Sequence, residues 1–291
     1  MRYLTLFYSL ALLLSTNIAG AQENPLHFRT PQDVVYIPNE KAYFVAYLVG
    51  DPMKPNGTSY ISKMHPDFIE PLKEYFCEGL DAPSSITLTK SFLVVADLGS
   101  IKFFDRKTGA WQKSAVLGVP PEAYISDIVF DGERFIFACD MFGHNLLRID
   151  LFNDFKTTVI EHGPWLNFPR RLLYYKPRKT LFIASSRTGE IFEFNPKTKT
   201  YKKIITFGPK QITGMDIDTN HDLYISSEYE GGQIIRITPN LEYSLLEKQY
   251  KSPANLIIIP ELNKIILPSL EKDVIYSYEL STKKLLRKSK K

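Results

Sequence analysis

Residues 183–194, IASSRTGEIFEF, hold an apolar strand, a small polar turn and a second strand with alternating side chains. The same pattern recurs elsewhere, which indicates a repeat rather than an isolated hairpin. The related segments are VVADLGSIKFF from Val94, FACDMFGHNLLRI from Phe137, ISSEYEGGQIIRI from Ile225 and LPSLEKDVIYSY from Leu267. Another apolar strand precedes each segment. These preceding strands are anchored at Ile86, Ile128, Leu172, Met215 and Leu256, which are 42, 44, 43 and 41 residues apart.

An earlier unit begins near Val35, with AYFVAYL and SYISKM as its strands. It lies 51 residues before Ile86, and the loop from Gly50 to Gly57 accounts for the extra length. A period near 42 residues with four strands per unit is typical of a β-propeller blade. The sequence therefore predicts an all-β fold, a six-bladed β-propeller of four-stranded antiparallel blades.

The sixth unit has three clear strands and ends near Leu280. Because an unpaired sheet edge invites aggregation, the ring has to be closed. We expect the fourth strand of this blade to come from the other terminus, within Pro25–Thr30. The segment KKLLRK, residues 283–288, is the competing candidate.

The first 21 residues have the features of a secretory signal peptide. Arg2 precedes an apolar run, and Ala19-Gly20-Ala21 forms a small-residue cleavage site. The run, YLTLFYSLALLL, is shorter than the roughly 20 residues that a membrane-spanning helix needs. We therefore expect a propeller over residues 22–280, no membrane span, and a periplasmic or secreted location.

The formal net charge of +4 comes from the termini. Residues 281–291, STKKLLRKSKK, hold six basic residues and no acid, so residues 22–280 carry a net charge of −3. We interpret residues 281–291 as a solvated basic tail. A mildly acidic body argues against nucleic acid as a partner, and we expect a monomer.

Two cysteines, Cys77 and Cys139, allow at most one disulfide and cannot build a CxxC-type zinc or redox site. Two separate buried thiols are favoured over a bridge. The chain also contains 19 Phe and 17 Tyr. Since neighbouring blades cover both faces of each sheet, most of these aromatic side chains are expected in the core.

Several stretches resemble the calcium-dependent gluconolactonase and regucalcin (senescence marker protein) family across essentially the whole mature chain. They include TPQDVVYIP from Thr30, EGLDAPSSITL from Glu78, FPRRLL from Phe168 and SPANLIIIPELNKIILPSL from Ser252. The resemblance implies a six-bladed propeller with one divalent metal in a central funnel. That metal polarises a lactone carbonyl and helps to activate water.

The family's metal ligands are a Glu, two Asn and an Asp, whereas this chain carries Gln32, Ser126, Arg170 and Thr213 at the matching positions. Calcium takes several hard oxygen donors, and no carboxylate survives at these positions. We therefore expect no cofactor, or calcium if the chain is an enzyme after all. The candidate ligand-binding residues are Gln32, Asp81, Ser126, Asp127, Arg170, Thr213 and Asn255.

Arg170 carries most weight, because a guanidinium donates hydrogen bonds only and repels a cation. It could hold a carboxylate or phosphate in a bidentate pair. The alternative is that Arg170 pairs with Asp127 or Asp81 and only fills the channel.

Three functions remain open. The first is an exported propeller that binds an anionic, sugar-acid-like small molecule in its central funnel. The second is a calcium-dependent lactone or ester hydrolase whose metal is held by other groups, such as Asp81, Asp127, Asp140 or Glu228. The third is a protein-interaction scaffold, which a narrow, plugged channel would favour. The signatures GxSxG, GxxxxGK and HExxH are absent, so serine-hydrolase, P-loop and zincin chemistry gain no support.

Overall fold

The computed structural model describes residues 29–68, 70–120, 123–208, 211–248, 251–270, 274–280 and 285–288. These residues form six four-stranded antiparallel sheets, and in each sheet the strands follow one another in chain order. The first strands of successive sheets contact one another around the ring, and the first strand of the sixth sheet contacts the first strand of the first sheet. The six-bladed propeller predicted from the repeat is confirmed.

The strand bounds are as follows. Blade 1 holds β1 Arg29–Ile37, β2 Ala42–Val49, β3 Ser59–Met64 and β4 Pro71–Leu80. Blade 2 holds β5 Pro83–Leu88, β6 Phe92–Asp97, β7 Ser100–Asp105 and β8 Trp111–Ala115. Blade 3 holds β9 Ile125–Phe130, β10 Phe135–Asp140, β11 Asn145–Asp150 and β12 Lys156–His162. Blade 4 holds β13 Pro169–Tyr175, β14 Thr180–Ser185, β15 Glu190–Asn195 and β16 Thr200–Thr206. Blade 5 holds β17 Ile212–Ile217, β18 Leu223–Ser227, β19 Gln233–Ile237 and β20 Tyr243–Lys248. Blade 6 holds β21 Ile257–Ile259, β22 Lys264–Ser269, β23 Val274–Glu279 and β24 Leu285–Lys288.

An apolar cluster fills each of the six interfaces between neighbouring blades. The cluster between blades 3 and 4, for example, joins Phe137 and Leu146 to Ile183 and Phe194, all of which are buried. Burial on both faces of the sheets explains why apolar residues run almost without interruption along many of the strands. The expected placement of the aromatic residues is confirmed for Tyr43, Phe44, Phe103 and Phe194, among the largest fully buried side chains.

The sixth blade takes its fourth strand from its own end of the chain. Strand β24 pairs with β23 through Tyr278 and Leu285, Ser277 and Arg287, and Tyr276 and Lys288. The prediction that Pro25–Thr30 supplies this strand is therefore wrong, since Arg29 and Thr30 belong to β1 and pair with β2. The competing segment is the one used, and the propeller extends to Lys288 rather than to residue 280.

Blades 1 and 6 share no strand within the described residues, so packing closes the ring between them. Val34 and Val45 of blade 1 lie in one apolar cluster with Ile266 and Ile275 of blade 6. The seam is therefore held by side chains and not by a sheet ladder.

The predicted signal peptide, residues 1–21, lies outside the described residues, as do residues 281–284 and 289–291 of the predicted tail. No helix among the described residues has the length and apolar character of a membrane span.

Cys77 and Cys139 are both free and buried, so the expectation of two separate thiols is confirmed. Burial raises the pKa of Cys77 to about 12 and raises the pKa of Cys139 as well. Both thiols are therefore poor nucleophiles at neutral pH.

Candidate functional site

A bulge near the start of the inner strand is common to five blades. In blade 1 the register passes from Pro31 directly to Asp33, which leaves Gln32 without a partner on β2. A bulge of this kind re-aims side chains and is common next to functional sites. The unpaired residues of the five bulges are Gln32, Ser84, Ser126, Arg170 and Thr213.

The residue after each bulge lies on the central channel. In blade 6 the bridge between Pro253 and Ser269 marks the equivalent point, which places Asn255 at this position. We call these six positions the channel ring, and its members are Asp33, Ser85, Asp127, Arg171, Gly214 and Asn255. All of them are buried except Asn255, which is half-buried.

Hydrogen bonds join the members of the channel ring across blade boundaries. Ser85 Oγ donates to Asp127 Oδ1 at 2.6 Å, and Asn255 Nδ2 donates to Asp33 Oδ1 at 2.9 Å. Gly214 has no room for a side chain, because a Cβ there would lie 2.5 Å from the backbone nitrogen of Leu256. Five of the six ring members are buried, so solvent has little access to the side chains at this level.

Arg171 supplies the positive charge of the ring. Its Nη1 lies 3.8 Å from Asp127 Oδ1 and donates to the Ser126 carbonyl at 3.2 Å, while its Nε donates to the Thr213 carbonyl. The side chain thus touches blades 3 and 5 from blade 4. In the sequence analysis, the alternative to ligand binding was that Arg170 fills the channel. In the structure, Arg171 has this role.

Three carboxylates hold the inner strands together in pairs; Asp33 and Asp127 are buried, and Asp216 is half-buried. Asp33 Oδ2 accepts the N–H of Ile86 at 2.8 Å, and Asp127 Oδ2 accepts the N–H of Leu172 at 2.6 Å. Asp216 Oδ2 accepts the N–H of Ile258 at 2.7 Å. These bonds link blade 1 to 2, blade 3 to 4 and blade 5 to 6.

Burial shifts the titration of all three carboxylates. It raises the pKa of Asp33, raises that of Asp127 to about 6 and raises that of Asp216 to about 7. The charge of Arg171 opposes the pKa shift at Asp33 and Asp127, whereas hydrogen bonds from Ile258 and Ile217 are what oppose it at Asp216. Asp216 therefore stays protonated to a higher pH than Asp127.

This arrangement predicts that stability falls as pH rises from about 4 to about 7. A carboxyl whose pKa is higher in the folded state binds more protons there, so raising the pH favours unfolding. One group contributes at most about 1.4 kcal/mol per pH unit. Urea unfolding of the wild type at pH 5, 6, 7 and 8 measures the slope. Asp216→Asn lowers stability throughout but should flatten that slope, and an unchanged slope would contradict the assignment.

Arg170 lies at the mouth of the channel, above the ring. Its Nη2 is 4.0 Å from Glu228 Oε1, and the two side chains are 23% and 20% exposed. Burial and the like charge of Arg171 lower the pKa of Arg170, while Glu228 acts in the opposite direction. Pairing with Asp127 or Asp81, the expected alternative, is therefore wrong. Among the described residues, no acceptor forms a hydrogen bond with its guanidinium.

The other predicted residues divide between the mouth, the ring and the interior. Gln32 donates to Thr30 Oγ1 at 2.9 Å and stays half-buried near the mouth. Ser126 and Thr213 are buried: Ser126 Oγ donates to the Pro169 carbonyl at 2.8 Å, and Thr213 Oγ1 lies 3.1 Å from Ser226 Oγ. Asp81 instead accepts the backbone N–H groups of Asn56 and Gly57, each at 2.9 Å. It thereby caps the Gly50–Gly57 loop and does not join the ring.

The donor set does not fit calcium. Asp33 and Asp127 each receive N–H or O–H donors on both carboxylate oxygens, and Arg171 lies beside Asp127. A cation would have to displace these hydrogens and approach a fixed positive charge. Among the described residues, no group of three or more His, Cys, Asp or Glu side chains could hold a metal ion.

Aromatic side chains on blades 3 and 4 border the mouth, a feature that the sequence analysis missed. We call Tyr124, Phe142, His144 and Phe168 the aromatic ledge. Phe142 is 36% exposed, and its ring centroid lies 5.6 Å from that of Tyr124 and 6.2 Å from that of Phe168. These residues precede a first strand or follow a second strand, so they meet at the same end of the channel as Arg170. Recognising that shared position in the repeat would have revealed the ledge.

The propeller is similar to several solved structures. A structure of the nidogen–laminin complex matches with a TM-score of 0.66 and 13% identity over 81% of this chain and 91% of that chain. Catalytically inactive virginiamycin B lyase from Staphylococcus aureus with quinupristin matches with a TM-score of 0.60 and 15% identity over 88% and 86%. A Bacteroides fragilis protein provisionally assigned as a 6-phosphogluconolactonase matches with a TM-score of 0.58 and 15% identity over 88% and 82%. At these identities the similarity establishes the fold alone.

No family model matches the sequence, and neither does any curated protein.

Proposed function

We propose that the protein is an exported six-bladed propeller that binds an anionic, sugar-acid-like small molecule at the mouth of its channel. Arg170 carries this proposal. It is a largely buried cation whose one ion-pair partner among the described residues, Glu228, lies at 4.0 Å. A guanidinium offers five N–H donors, and a carboxylate or phosphate can accept two of them at once.

The channel ring defines how deep such a ligand can reach. Arg171 is already held by Asp127 and two backbone carbonyls, so it has little capacity to bind a further anion. The ligand would therefore bind above the ring, between Arg170 and the aromatic ledge. The Glu228 side chain would either move away from the ligand or accept a hydrogen bond from one of its hydroxyl groups.

The neighbour described as a 6-phosphogluconolactonase is compatible with an anionic ligand but establishes no activity for this chain. Calcium-dependent hydrolysis is not favoured, because the donor set around the ring opposes a cation. The scaffold hypothesis has one observation in its favour, which is that five of the six members of the channel ring are buried. Unlike our proposal, the scaffold hypothesis gives Arg170 no role in binding.

Arg170→Ala is expected to weaken binding of the anion about 10- to 100-fold, which corresponds to the loss of a charge-assisted hydrogen bond of about 1.5 to 3 kcal/mol. Arg170→Lys should keep the charge but lose the bidentate geometry. Its affinity for the anion should therefore lie between those of the wild type and Arg170→Ala. Calorimetric titration with gluconate, glucuronate and their phosphorylated relatives measures the affinities.

The control is Arg134→Ala. Arg134 is an exposed arginine at the opposite end of blade 3, paired with Asp150. The Arg134→Ala variant should leave the affinity for the anion unchanged. Equal affinities for Arg170→Ala and the wild type would contradict the proposal and favour the scaffold.

A further inference from the structure

The aromatic ledge presents a rigid apolar surface next to the Arg170 cation. Phe168 lies two residues before Arg170, so their Cα atoms can be at most about 7 Å apart. Tyr124 is close enough for the charge of Arg170 to oppose the rise in pKa that burial causes at its phenol. The cation and the ring faces therefore border the same opening.

Phe168 is held in an unusual backbone conformation. Its φ is +60°, and φ of the preceding Asn167 is +29°. Bulky residues rarely adopt this region, and such strain persists only where the surroundings fix it. Here the Phe168 N–H donates to His144 Nδ1 at 3.2 Å, and its carbonyl accepts the N–H of Ser186 at 3.1 Å.

Side chains hold the Phe168 ring in place as well. The His144 ring meets it edge-on at 5.0 Å, and the Arg187 guanidinium lies 5.3 Å from its centroid. Because His144 Nδ1 accepts a hydrogen bond, the neutral imidazole carries its proton on Nε2. The ledge is thus preorganised, with Phe142 as its exposed member and Arg187 adding a second positive charge.

We infer that the ligand carries its acid group on a flat ring with an apolar face, which stacks on the aromatic ledge while Arg170 binds the acid. This inference rests on the proposed function and narrows its ligand class. An aromatic acid and a cyclic sugar acid both offer this chemistry, since the C–H face of a pyranose ring and the face of an aromatic ring are both apolar. An open-chain acid offers no such face.

The test compares ring and open-chain acids of similar size: glucuronate with gluconate, benzoate with hexanoate, and glucose 6-phosphate with sorbitol 6-phosphate. Within the pair that binds, the ring compound should bind about three- to tenfold more tightly, the range for one aromatic contact. Phe142→Ala should remove that preference. The pair of acids that binds shows whether the ligand carries a sugar ring or an aromatic ring.

Phe152→Ala is the matched control, because Phe152 is 75% exposed and lies beyond the far end of β11. Phe142 is itself a surface side chain, so its replacement should leave the fold intact. Arg187→Gln is a second variant, and it should weaken the binding of every anion. Equal binding of ring and open-chain members, or equal effects of Phe142→Ala and Phe152→Ala, would overturn the inference while leaving the Arg170 proposal standing. Failure of all six acids to bind would overturn both.

Discussion

Replacing Arg171 with Met is expected to lower the free energy of unfolding by about 3 to 5 kcal/mol, the range for removing one partner of a buried ion pair. Met keeps an unbranched apolar stem but lacks the guanidinium and its charge. The variant leaves the Asp127 carboxylate without its cation and leaves the carbonyls of Ser126 and Thr213 without their donor. Urea unfolding at pH 7, monitored by tryptophan fluorescence, measures the loss.

A pH series distinguishes this cause from a simple packing defect. Burial raises the pKa of Asp127 to about 6, so at pH 5 much of this carboxyl is protonated and needs no cation. The stability difference between wild type and Arg171→Met should therefore shrink as pH falls from 7 to 5. If the variant only had a packing defect, this stability difference would stay constant with pH.

Arg170→Met is the matched control, since it changes the neighbouring arginine in the same way. Arg170 is partly exposed and its ion pair is long, so the loss should stay below about 1 kcal/mol. Similar losses for the two variants would contradict the separation of roles between a structural Arg171 and a ligand-binding Arg170.

That separation marks the limit of what the sequence could predict. The five repeat anchors lie at equivalent positions: Ile86, Ile128, Leu172 and Met215 each follow their bulge by two residues, and Leu256 follows Pro253 by three. The repeat period therefore predicted the architecture and its alignment correctly. The bulge itself was not predicted, because neighbouring blades cover both faces of the inner strand and an extra residue leaves no clear break in its apolar pattern.

One extra residue changes which side chain faces the channel. Alignment to the family placed Gln32, Ser126, Arg170 and Thr213 in the funnel, and all four are bulge residues. The residue after the bulge forms the ring, so Arg171 was passed over in favour of Arg170, and Asp33 was not considered. Two adjacent arginines cannot be assigned to channel or mouth without knowing where the bulge lies.

Strand β24 was misread for a different reason. Its sequence is basic, and a basic terminus is usually solvated. However, charged residues are also the usual protection of an outer edge strand. Composition alone cannot distinguish these two cases, and the need for a fourth strand in blade 6 does not decide between them either, because a segment from either terminus could supply that strand.

The seam between blades 1 and 6 gives the second large effect. Asp33→Ala is expected to lower the free energy of unfolding by about 3 kcal/mol, because each buried donor left without an acceptor costs about 1 to 3 kcal/mol. Asp33 accepts the N–H of Ile86 in blade 2 and the amide of Asn255 in blade 6. Its loss would leave both donors without their acceptor and would remove the polar link across the seam.

Asp216→Ala breaks the equivalent bond between blades 5 and 6, away from the seam, and therefore serves as the comparison. Because no shared strand closes the ring among the described residues, Asp33→Ala should open the seam before the rest of the propeller unfolds. Hydrogen–deuterium exchange would then increase first in Arg29–Ile37 and Lys264–Ser269, and Asp216→Ala should leave Arg29–Ile37 protected. Uniform exchange over all blades in Asp33→Ala would instead mean that the apolar cluster of Val34 and Ile266 closes the ring without this carboxylate.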